Sequence, residues 1–162
     1  MPDTTAALRD HLVRALEWED AHVGFDNAVT GIPHDKRGVQ AAGFEHTIWQ
    51  LVEHLRIAQE DILDFCVNPS YEHSMAWPDD YWPKAMAPPS DEAWARSIDD
   101  FKRSREAMAR FTREVADLSA AVPTGQGGQT YLRAVLLVID HAAYHVGQVV
   151  AVRRALGIWA AA

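Results

Sequence analysis

The chain has 162 residues, enough for one domain of ordinary size. Hydrophobic residues make up 48% and charged residues 23%, which excludes an intrinsically disordered chain. The formal net charge of −8 repels phosphate backbones and anionic headgroups, so neither nucleic acid nor a membrane is expected as a partner.

Four helical segments can be read in chain order. The first is expected from about Thr4 to Val23, capped by Asp3 or Thr4, with Leu8, Leu12, Ala15 and Glu19 on one face. Residues 24–44 hold four Gly and one Pro and read as a connection. The second helix opens with Thr47-x-x-Gln50, a capping box in which each side chain satisfies an orphan backbone N–H of the other residue. Ile48, Leu51, Val52, Leu55, Ala58 and Ile62 form its apolar stripe, and Asn68-Pro69 ends it.

Residues 68–90 contain five of the eight prolines, with Tyr71, Trp77, Tyr81 and Trp82 among them. So long a connection is uncommon in a compact domain, and its aromatics argue that it packs down as a crossover over one end of the helices. A lid or a subunit contact is the other role open to it. The third helix follows Ser90 as N-cap, with Asp91 and Glu92 in its positive first turn. Trp94, Ile98, Phe101, Met108, Phe111, Val115 and Leu118 make its inward stripe. The fourth helix is expected from about Gln129 to Leu156, stopped by Gly157. Between Ala134 and Val152 its one formal charge is Asp140, a pattern expected of a helix covered on nearly every side. No period-two run signals a strand. The expected fold is all-α, a four-helix bundle with a long crossover between helices 2 and 3, and a single domain over residues 1–162.

One cysteine, Cys66, rules out an internal disulfide and suits a reducing compartment. The first residues lack the basic and apolar regions of a signal peptide, and the longest strongly apolar run, Ala134 to Ile139, is short for a membrane span. A soluble, cytoplasmic protein is expected.

Eight histidines carry the functional signal. His141 and His145 are four residues apart on the most apolar helix, where imidazoles at i and i+4 stack on one face and can share one ion. His54, beside the Leu51/Leu55/Ala58 stripe, is the natural third ligand. Three His with an open position describe a catalytic metal site, because a structural site is usually closed by four ligands. The alternative is that these are core histidines satisfied by Tyr, Gln or carboxylate neighbours. His34, His46 and His73 fall in loops or at a helix start and are expected at the surface; His11 and His22 fall on the first helix. Glu19 and His22 form half of a di-iron signature that has no second copy here. Glu19, His22, Glu53 and Asp140 remain candidates to surround the ligands. There is no His-Glu-x-x-His, Gly-x-Ser-x-Gly, Walker loop or dinucleotide fingerprint.

The segment Thr47-Ile48-Trp49-Gln50-Leu51-Val52-Glu53-His54-Leu55 resembles the helix-2 motif of the DinB-like (DinB/YfiT) superfamily. His141-Ala142-Ala143-Tyr144-His145-Val146-Gly147-Gln148 resembles its helix-4 motif. The likeness extends over nearly the whole chain. It implies a four-helix bundle, commonly dimeric, holding one divalent ion, nickel, zinc or iron, on His54, His141 and His145. It also implies the chemistry of relatives that use bacillithiol, mycothiol or glutathione: a thiol S-transferase acting on a small electrophilic molecule, with a low-molecular-weight thiol as second partner and a homodimer as the assembly. A non-catalytic stress-response bundle and a metal-dependent hydrolase are the alternatives.

Overall fold

A computed structural model of the chain describes residues 4–17 and 21–159. Among these the chain forms five α-helices and no strand: α1 (Thr4–Ala15), α2 (Phe25–Val29), α3 (Ile48–Val67), α4 (Asp91–Glu114) and α5 (Tyr131–Ala155). The fold is all-α. Helix α3 packs against both α4 and α5, and α1 lies against the same two helices. The first helix is shorter than its sequence pattern suggests, ending at Ala15 instead of Val23. After it, Gly24 precedes the separate five-residue α2, whose Phe25, Ala28 and Val29 are buried against the core and not along the axis of α1.

The helix ends follow their capping residues. Thr47 accepts from the Gln50 N–H while the Gln50 side chain accepts from the Thr47 N–H, completing the capping box. The Thr47 hydroxyl also donates to the Met86 carbonyl at 2.6 Å, which ties the far end of the crossover to the start of α3. Ser90 and Thr130 cap α4 and α5 by accepting from the N–H groups of Ala93 and Arg133. Helix α5 closes on Gly157 at φ +70, where the Ile158 N–H reaches the Arg153 carbonyl and the Gly157 N–H reaches that of Arg154. Those two bonds satisfy carbonyls that the helix leaves open, and the backbone angle they need is one a side chain disfavours.

Two clusters form the core. One gathers Phe25, Ile48, Leu51, Val52, Leu55, Trp94, Phe101 and Val149. The other gathers Leu12, Leu16, Cys66, Met108, Leu118, Ala134, Val135 and Val138. Leu118 is buried as its spacing predicts, although α4 has already ended at Glu114. The Cys66 thiol is buried, which pushes its pKa up to about 12 and leaves it a small apolar side chain.

Helix α5 departs from its pattern. One face is buried, but Leu136, Leu137 and Tyr144 are exposed on the other, so the helix lies at the edge of the structure and not at its centre. Its composition gives an 18-residue window of mean hydropathy 1.5, long and apolar enough to cross a membrane. That window holds the buried His145, and the helix packs against α1, α2 and α3.

Candidate metal centre

His54 is the seventh residue of α3, three after Leu51 and next to Leu55, and helix register carries it inward to 1% exposure. His141 and His145 come from successive turns of α5. One ring nitrogen from each of the three lies within 4.8 Å of the other two. His54 and His141 meet most closely, Nε2 to Nε2 at 2.9 Å.

For two of the rings the neighbours settle which nitrogen is free. His54 Nδ1 is 2.8 Å from the Tyr81 backbone carbonyl, which can only accept, so Nδ1 carries the proton and Nε2 is a lone pair. His145 Nδ1 is 2.7 Å from Gln148 Oε1 and donates to it, which leaves its Nε2 as the second lone pair. Metal-binding imidazoles are generally held this way, by a hydrogen bond on the nitrogen opposite the ligating one. Two lone pairs facing a third ring nitrogen are electrostatically poor company without a proton or a cation between them. The donor set, all imidazole and with metal–nitrogen distances near 2.1 Å expected, suits a divalent transition ion. Three histidines this close could hold a metal ion.

A family model of the DinB superfamily matches residues 17–149. The chain belongs to the DinB superfamily. No curated protein and no solved structure gives a significant match.

Electrostatics keep this DinB-superfamily site in its ligating form. Burial pushes the pKa of His54 down to about 4, outweighing the Tyr81 carbonyl, with repulsion from His145 and His46 added. Burial and the two neighbouring rings push His141 down to about 3. Burial also lowers His145, against the bond it donates to Gln148. All three are therefore neutral near pH 7, as a ligand must be.

The crossover supplies the surroundings. The Trp82 indole stacks flat on His54, centroids 3.8 Å apart and planes 5° apart. His46 stacks on the same indole at 3.7 Å and 12°. One ring fits on each face, so Trp82 is sandwiched between the two histidines, and its edge meets His145. His46 is thus half-buried against the site's wall and not the plain surface residue its loop position suggested.

A cavity of about 1020 Å³ opens beside the site. Its walls come from α3, the crossover, the loop before α5, and α5 itself. Phe65, Tyr71, Trp77, Tyr81 and Arg133 line it, and His141 is the one of the three histidines that borders it.

The other histidines stand apart. His22 bonds the Val23 carbonyl and lines a separate cavity of about 310 Å³ with Asp26 and Arg105. His34 pairs with Asp91, and His73 lies on the rim of the large cavity. Glu53 is turned away from the three histidines: Ser97 donates to it at 2.6 Å and Arg56 brackets it. Burial tends to raise its pKa, but those two partners hold it below the usual range. Asp140 is exposed, and Glu19 lies outside the described residues.

Sequence reasoning missed Tyr81, Trp82 and His46, because no periodicity links a loop residue to a helix face. Gln148 was within reach, three residues after His145 on the same helix face.

Proposed function

We propose that this DinB-superfamily protein is a single-domain four-helix bundle that binds one divalent ion, nickel, zinc or iron, through His54, His141 and His145. We propose further that it acts as a thiol S-transferase, joining a low-molecular-weight thiol to a small electrophilic molecule. The observation that carries this reading is the convergence of three neutral imidazoles, of which His141 borders a cavity large enough for both reactants. An ion held there would supply Lewis acidity, lowering the pKa of a bound thiol so that it is a thiolate at neutral pH.

The chain's own residues do the rest. The Tyr81 carbonyl and Gln148 hold two imidazoles with Nε2 aimed at one point. Three protein ligands leave further positions for a substrate atom. The aromatic wall of Phe65, Tyr71 and Trp77 offers apolar surface to the substrate's body, and a pocket of this size and lining is typical of a small-molecule site. The exposed apolar stripe of Leu136, Leu137 and Tyr144 on α5 suits a homodimer contact, and a cytoplasmic location suits thiol chemistry.

Metal analysis of the purified protein beside His54→Ala and His141→Ala tests the site. Stoichiometric metal in the wild type and its loss in both variants is expected. Full retention by both variants refutes the ligand assignment. Turnover of a thiol with an electrophile such as a chlorodinitroarene, dependent on both metal and thiol, tests the reaction. Activity that persists without thiol would point to hydrolysis instead.

A further inference from the structure

Asp61 sits on α3 seven residues, two helical turns, beyond His54, and therefore on the same face. Both of its oxygens are in use. Oδ2 accepts from the Tyr81 hydroxyl at 2.6 Å and Oδ1 accepts from the Tyr71 hydroxyl at 2.9 Å. A carboxylate only accepts, so the direction of both bonds is settled. Tyr71 has then spent its one proton, and His73 Nδ1, 3.0 Å from the same phenol oxygen, must donate to it. The result is a chain, His73 to Tyr71 to Asp61 from one side and Tyr81 to Asp61 from the other. It fastens two points of the 68–90 crossover to α3.

Tyr81 connects that latch to the metal centre. Its side chain is 5% exposed and held by Asp61, and its backbone carbonyl is the group that accepts from His54 Nδ1. The next residue, Trp82, stacks on the face of the same imidazole. His54 is therefore gripped at its edge and on its face by two consecutive residues of one segment. That segment is tied to α3 on one side by a carboxylate that touches no ligand, and on the other by Gln50, whose amide donates to the Pro83 carbonyl at 3.1 Å.

We infer that Asp61 is a positioning residue of the metal centre: by holding the Tyr81 phenol it places the Tyr81 carbonyl, which in turn fixes the tautomer and aim of His54. The inference rests on the metal-site reading above. It also gives the long crossover a specific task. The segment that covers the end of the helices also orients a ligand, and the tyrosine pair held by Asp61 shapes the floor of the adjoining cavity.

The test is a cobalt(II) titration of the metal-free full-length protein, following the visible absorption bands and competing with a chelator for affinity. Wild type, Asp61→Ala, Tyr81→Phe and His141→Ala are compared. Met108→Ala, in the other core cluster, serves as a control for lost stability alone. Loss of a group that orients a ligand weakens metal binding about 10–100-fold. Asp61→Ala is expected near the lower end of that range, with altered cobalt bands at saturation. Tyr81→Phe, which keeps the ring and its packing, is expected to lose at least about threefold in the same direction. Met108→Ala should melt earlier yet bind cobalt with the wild-type spectrum. If Asp61→Ala does not fold, Tyr81→Phe decides. Wild-type affinity and spectrum in the folded latch variants would overturn the inference while leaving the metal site standing. No cobalt binding by the wild type itself would overturn the site reading, and this inference with it.

Discussion

Acid should weaken the metal-free protein, and His54 and His141 should account for a measurable part of the loss. Both side chains sit in the fold with pKa values of about 4 and about 3, against 6.5 for an unhindered histidine. As the pH falls through 6.5 the unfolded chain takes up protons that the folded chain refuses. The unfolded state then binds more protons, so stability drops as the pH drops. The loss begins near 6.5 and levels off once the folded pKa values are passed. Each pH unit costs about 1.4 kcal/mol per group, so the interval down to about pH 5 gives about 2 kcal/mol for each histidine. Part of the His141 shift is repulsion from a charged His54, so the two contributions do not add in full and about 3 kcal/mol is expected for the pair. Against a typical total stability of about 5–15 kcal/mol that is readily measured. The assay is urea denaturation of chelator-treated protein at about pH 7.5 and about pH 5. A His54→Gln/His141→Gln double variant is run in parallel to remove the two groups and leave the carboxylates. Wild type should lose about 3 kcal/mol more than the double variant across that interval. Equal losses would refute the claim that these imidazoles are held neutral by their surroundings.

Three further outcomes follow from particular contacts. Gln148→Leu removes the acceptor of the His145 Nδ1 proton and should weaken metal binding about 10–100-fold with little change in helical content, read by metal titration and circular dichroism. Thr47→Ala removes the α3 cap and the bond to the Met86 carbonyl, and should cost about 1–2 kcal/mol in chemical denaturation. Gly38→Ala should also destabilise, by about 1–3 kcal/mol, because an added Cβ would meet the Ala87 backbone at 2.9 Å and force the two connections apart; an unchanged melting temperature would show that they give way freely.

The helix starts were legible because capping is local. Thr47, Ser90 and Thr130 each bond a backbone N–H within three residues, and Thr47 and Ser90 announce themselves in the sequence by type and spacing. The end of α1 was not legible, since the apolar spacing runs on beyond Ala15 while the chain turns to seat Phe25 in a different part of the core. The composition of α5 suggested cover on all sides, yet Leu136, Leu137 and Tyr144 are exposed, because hydropathy records what a face tolerates and not what lies against it.

The candidate ligands divide the same way. The sequence by itself determined that His141 and His145 share one face of a helix, since a 3.6-residue repeat allows nothing else, and that His54 lies in register with a buried stripe. Only the tertiary structure decided that the nitrogens of these three converge to within 4.8 Å, because that depends on how α3 and α5 pack across the core. It alone decided that a carbonyl and an indole from residues 81 and 82 hold His54, and that a carboxylate two turns away holds residue 81. Those contacts join residues 20–28 positions apart through a segment without regular periodicity, and no local rule of chain geometry relates such positions until the fold has closed.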